Sequence, residues 1–190
     1  MEGHDLLEKS TTNALGEALR VLREAQKLLD APERFTKGAW GRDKNDEPVP
    51  AESPQARKWC VAGAVLCAEA RLHGTPALSR TAANDTAPWR EHGPKRVETA
   101  LALLALPALR VYAYLYRDEL ERAMEAGAGR AREEGTSATT TEIAAAVNDD
   151  ERIAWENIAV VFEFAIVATQ AELRKRRQAK PDRPRKGGAR

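Results

Sequence analysis

Aromatic side chains are scarce in this chain. Trp, Tyr and Phe make up 5% of its 190 residues, although hydrophobic residues in total reach 43%. A core so poor in rings has to be built largely from Ala and Leu. Such cores suit helices, which approach one another closely over small side chains. Cysteine is equally sparse, with two residues, and this excludes a disulfide scaffold. No run of about 18 apolar residues occurs, so no membrane-spanning helix is expected. The opening residues Met1-Glu2-Gly3-His4-Asp5 lack the basic and apolar regions of a secretion signal. The expected setting is the cytoplasm, with both thiols reduced. Net charge is also nearly absent, at +1. That value conceals an asymmetry: the segment Arg174–Arg190 carries nine basic residues against Asp182 alone, which leaves the rest of the chain acidic. A basic nucleic-acid-binding body is thereby excluded. Weak, salt-sensitive contact with a polyanion through 174–190 is not.

What the chain does contain is helical punctuation. Leu15, Leu19, Leu22 and Leu29, with Ala18 and Ala25, form one stripe that predicts a helix over Thr12–Leu29, stopped by Pro32. Ala31–Glu52 holds Gly38, Gly41, Pro48 and Pro50 and reads as a long loop, pinned to the body by Phe35 and Trp40. Ser53 as N-cap and Pro54 as first helical residue predict a second helix that ends at Gly74. Its Ala56, Cys60, Gly63, Ala64, Cys67 and Ala70 make a small-residue face, onto which Phe162 and Ile166 of the last helix are expected to pack. A short helix can form over Pro76–Ala83. A third helix starts near Pro94, carries Val97, Ala100, Leu101 and Leu104, meets Pro107, and continues to about Ala126. Gly127–Ala138 reads as a linker. Thr139-x-x-Glu142 matches a capping box for a short helix. Asn148-Asp149 then caps a final helix over Asp150–Gln178, whose middle is apolar on most sides and so is expected to be central.

Few residues offer chemistry. Cys60 and Cys67 lie two helical turns apart, about 10 Å. They can neither share a zinc ion nor form a disulfide. As a nucleophile Cys60 would use the dipole of the second helix. Its base would have to be His92, because His73 is about 20 Å away along the helix axis. Asn148, Asp149 and Asp150 lack the alternating oxygens and the glycine of a calcium loop. Gly127-Ala128-Gly129 lacks the lysine and hydroxyl of a phosphate loop. Tyr112 and Tyr116 share a helical face, for core packing or for stacking on a ligand. No metal or cofactor is expected. Trp40, Trp59, Cys60, Asn148 and Asp149 remain as the lining of one binding pocket.

Trp40 in a glycine-containing loop, Cys60-x-x-Gly63-Ala64 on the next helix and Asn148-Asp149 before the last helix resemble a domain-of-unknown-function family of actinobacteria and their phages. The resemblance covers about Leu15–Leu72 and Ile143–Ala168. It implies a small, mostly helical domain and carries over no activity. Relative to that pattern 97–138 looks like an inserted helical segment. The resulting expectation is an all-α domain over 1–178 with five to seven helices, followed by a disordered basic tail over 179–190. Two function classes are open. One is a non-enzymatic accessory or regulatory protein that binds another protein. The other is a small Cys60-dependent hydrolase or transferase. A nucleic-acid-associated factor acting through the tail is a third, weaker reading.

Overall fold

A computed structural model describes residues 11–74, 95–115, 148–151 and 153–179. Among these, four α-helices carry the fold: α1 (Thr12–Leu28), α2 (Val61–His73), α3 (Lys95–Leu115) and α4 (Trp155–Ala179). The mostly helical expectation therefore holds. The all-α expectation is corrected, because a small three-stranded sheet stands between α1 and α2.

The first helix begins where its sequence dictates. The Thr11 hydroxyl accepts a hydrogen bond from the Ala14 N–H at 3.2 Å and caps the free amides. Leu15, Ala18, Leu19, Leu22 and Ala25 form its buried face, joined by Val21 and Leu28. Pro32 does not merely stop the chain; it opens a 3₁₀ turn over Pro32–Arg34.

The segment read as a loop folds into β1 (Gly41–Arg42), β2 (Pro48–Val49) and β3 (Lys58–Trp59), in the order β2-β1-β3. Both pairings are antiparallel, with Gly41 opposite Val49 on one side and Trp59 on the other. Two-residue strands leave no alternation for a sequence pattern to reveal. Side-chain turn chemistry holds them instead. The Asp43 carboxylate accepts the Asn45 and Glu47 amides at 2.8 and 3.0 Å. Arg42 donates to the Thr36 hydroxyl at 3.0 Å and to the Asp46 carbonyl at 2.7 Å. Phe35 and Trp40 pack against the core as expected.

The start of α2 is also corrected. Ser53 caps only a turn, through the Gln55 N–H at 3.2 Å, and the helix begins at Val61, with Cys60 as its N-cap residue. Gly74 does close the helix, in the left-handed conformation at φ 62°. Every residue from Val61 to Glu69 is buried. α2 packs mainly on α1 and α3, and α4 packs mainly on α1 and α3. The expected contact of the α2 small face with α4 is therefore not a principal one. α4 is not surrounded either: Ile158, Val161, Phe162, Ala165, Ile166, Thr169 and Leu173 face inward, while Val160, Phe164 and Val167 are exposed. α3 continues through Pro107, and its Val97, Ala100, Leu101 and Leu104 are fully buried.

Among the described residues, one acidic side chain lies in this core. Glu69 of α2 is completely buried, and the Arg96 guanidinium meets it with Nε at 2.6 and 2.8 Å from its two oxygens and with Nη2 in close contact as well. This pair ties α2 to the first turn of α3, and it holds the Arg96 guanidinium above its ordinary pKa.

His92, Tyr116, the possible helix over Pro76–Ala83, the 127–138 linker, the capping box from Thr139 to Glu142 and the tail from 180 onward lie outside the described residues, as does the side chain of Tyr112. The segment 97–138 is described only as far as Leu115. Ala179, assigned to the tail from sequence, is the last residue of α4.

Candidate functional site

Four of the five predicted pocket residues converge at the N-terminus of α2. The first amides of any helix have no partner within it. Here they are satisfied from three directions. The Cys60 N–H donates to the Trp40 carbonyl at 3.4 Å. The Val61 N–H donates to Asn148 Oδ1 at 2.9 Å, across 87 residues of sequence. The Gly63 N–H donates to Cys60 Sγ at 3.2 Å. Asn148-Asp149 therefore do not cap α4, as the sequence suggested. Asn148 caps α2, and α4 starts five residues after Asp150, at Trp155.

A second tier locks this arrangement. Asn148 Nδ2 donates to Asp149 Oδ1 at 2.7 Å, and the same oxygen accepts the Gly38 N–H at 3.2 Å. Lys37 Nζ donates to the carbonyls of Asp150 and Ile153 at 2.6 and 2.7 Å. Trp155 Nε1 donates to the Leu29 carbonyl at 2.9 Å, which fixes the start of α4 against the end of α1. The loop after α1, the head of α2 and the approach to α4 are joined at one node.

Gly63 explains why the node is so tight. A Cβ placed on it would lie 1.8 Å from the Trp40 carbonyl oxygen. Trp40 thus serves the node through its backbone. Trp59 stands apart from it: its indole N–H donates to the Ala51 carbonyl at 2.9 Å, and the Arg71 guanidinium lies over its ring at 5.9 Å.

These contacts determine what Cys60 can do. Burial pushes its thiol up to about 12, against the opposing Gly63 hydrogen bond, and the nearby Asp149 carboxylate adds to the rise. At neutral pH the group is a protonated thiol that accepts a helix amide. It is not the thiolate that nucleophilic catalysis requires. Three of the amides at the head of α2, those of Cys60, Val61 and Gly63, are engaged within the protein and are not available to an anion. Among the described residues no group of three or more potential ligands is placed to hold a metal ion.

Three features escaped the sequence reading. The Glu69–Arg96 pair did, because nothing in the spacing of two charged residues 27 apart signals contact. So did an open cleft of about 370 Å³ where α1 ends and α4 begins, lined by Leu29, Asp30, Trp155, Ile158 and Phe162 among others. The third is the outer face of α4, where Val160, Phe164 and Val167 are 40, 61 and 55% exposed. Its spacing of four and three was visible, but it was read as part of a buried helix. Comparison with known proteins finds no matching family model, no similar curated protein and no similar solved structure.

Proposed function

We propose that this chain is a non-enzymatic accessory or regulatory module that binds another protein through the outer face of α4. The observation that carries this reading is the exposed stripe of Val160, Phe164 and Val167, set at helical spacing on the side of α4 opposite its buried residues. Large apolar side chains clustered in water mark contact surfaces more often than scattered ones do. The exposed bases Arg174, Lys175 and Arg177 continue along the same helix, so a matching partner offers an apolar surface flanked by carboxylates.

The α2 node supports the same reading from the opposite side. Cys60, the nucleophile that an enzyme would use, is engaged in closing a helix end. Trp40, Cys60, Gly63, Asn148 and Asp149 also carry the resemblance to the domain-of-unknown-function family, and we propose membership of that family on those motifs. Their interlocking supports a motif that specifies a fold and not a reaction.

The test compares capture by the full chain and by its Phe164→Glu variant from the host extract. A partner recovered by the first and lost by the second, at unchanged melting temperature, is the expected result. A set of captured proteins that is the same for both overturns the reading.

A further inference from the structure

We infer that the outer face of α4 pairs with a second copy of itself, antiparallel, so that the protein is a homodimer built on an α4–α4′ seam. This rests on the reading of that face as a binding surface and names its occupant. The exposed positions Val160, Phe164, Val167, Ala171, Arg174 and Gln178 are spaced four, three, four, three and four residues apart. That is the 3.5-residue repeat of a two-helix seam, not the broader stripe of a helix facing a globular core. α4 already has such a core-facing stripe on its other side.

Charge selects the orientation. The exposed acids of α4 stand in its N-terminal half, at Glu156 and Glu163, and the exposed bases Arg174, Lys175 and Arg177 stand near its C-terminus. A parallel pair would stack Arg174 on Arg174 of the other copy. An antiparallel pair centred between Ala165 and Ile166 places Phe164 against Val167 and Val160 against Ala171. The same register brings Glu156 beside both Arg174 and Arg177, and symmetry forms each contact twice. Flanking charges set orientation in helix pairs in this way. At 25 residues, α4 is long enough for the whole register, spanning about 37 Å.

The experiment is sedimentation equilibrium of the purified full chain up to millimolar concentration, at low and moderate salt, on four proteins. The wild type is expected to move from monomer to dimer as concentration rises. Phe164→Glu is expected to weaken that association at least about tenfold, because it sets a carboxylate in the central layer. Glu156→Arg is expected to weaken it several-fold at low salt. Adding Arg174→Glu and Arg177→Glu to that variant is expected to restore it, which neither a parallel pair nor an unrelated interface would do. A wild type that stays monomeric throughout overturns the dimer. If Phe164-dependent capture of a different protein persists in that case, only the choice of partner has failed. If Phe164→Glu instead lowers the melting temperature of a monomer, the stripe is covered by the chain's own residues, and both readings fall.

Discussion

Gly16→Ala and Gly63→Ala make the same chemical change inside two helices, and the structure predicts opposite outcomes. Replacing a helical glycine with alanine gains about 1 kcal/mol in backbone terms. At Gly16 in α1 an added methyl meets nothing within 4 Å. Gly16→Ala should therefore stabilise by close to that full amount, raising Tm by roughly 2–4 °C. At Gly63 the methyl would sit 1.8 Å from the Trp40 oxygen and 2.7 Å from its carbonyl carbon. Real side chains do not approach within 3.0 Å, so the gap must open by more than 1 Å. The obstructing atoms are backbone, so no rotamer change relieves them. Opening the gap also breaks the hydrogen bond from the Cys60 amide to that carbonyl. Overpacking of this kind, less the gain in propensity, leaves a loss of about 2–4 kcal/mol and a fall in Tm of roughly 5–15 °C. Urea unfolding followed by circular dichroism measures both variants against wild type. A Gly63→Ala protein as stable as Gly16→Ala would mean that Trp40 does not press on the head of α2, and the account of the node would be wrong.

Three further outcomes test the same framework. Asn148→Ala strands the buried Val61 N–H and should cost about 1–3 kcal/mol, and Asn148→Asp, which keeps the acceptor oxygen but sets a second carboxylate against Asp149 where the Nδ2 donor stood, should not recover that loss at neutral pH; an unchanged urea midpoint in Asn148→Ala would remove the capping role. Cys60 should react slowly with thiol reagents in the native state. Its folded pKa of about 12 lies above the ordinary value of 9.0, so its contribution to stability is fully present below pH 9 and is lost as pH rises toward 12; Cys60→Ser should lose less stability over that window, and parallel curves for the two proteins would contradict the burial assigned to the thiol. Arg96→Met removes the guanidinium from the fully buried Glu69 and should cost about 3–5 kcal/mol, with Glu69→Gln added to Arg96→Met recovering some of it; an unchanged urea midpoint in Arg96→Met would show that the pair does not hold α2 to α3.

The sequence determined what is local or periodic. The buried stripe of α1, the glycine stop of α2 and the passage of α3 into an apolar run all follow from side-chain spacing and from residues with a single conformational use. The absence of a membrane-spanning helix among the described residues follows in the same way. The grouping of Trp40, Cys60, Asn148 and Asp149 was also legible, because rare residue types and a helix-capping pair stood out against an alanine-rich background.

Tertiary structure alone decided what that grouping is. Periodicity places residues on a face, but it does not say which element covers that face. Asn148 was read as the cap of the helix that follows it, since caps usually act within a few residues. In the folded chain it caps α2 from 87 residues away. The strands were invisible because two residues hold no alternation, and their pairing rests on side-chain contacts of Asp43 and Arg42 with the turns beside them. Gly63 looked like a groove for a neighbouring helix, when the atom it admits is a main-chain carbonyl. Whether Cys60 is a nucleophile or a buried cap depends on its solvation, and solvation is a property of the assembled fold. The same holds for α4: its composition records how apolar it is, and only packing shows which of its two stripes remains in water.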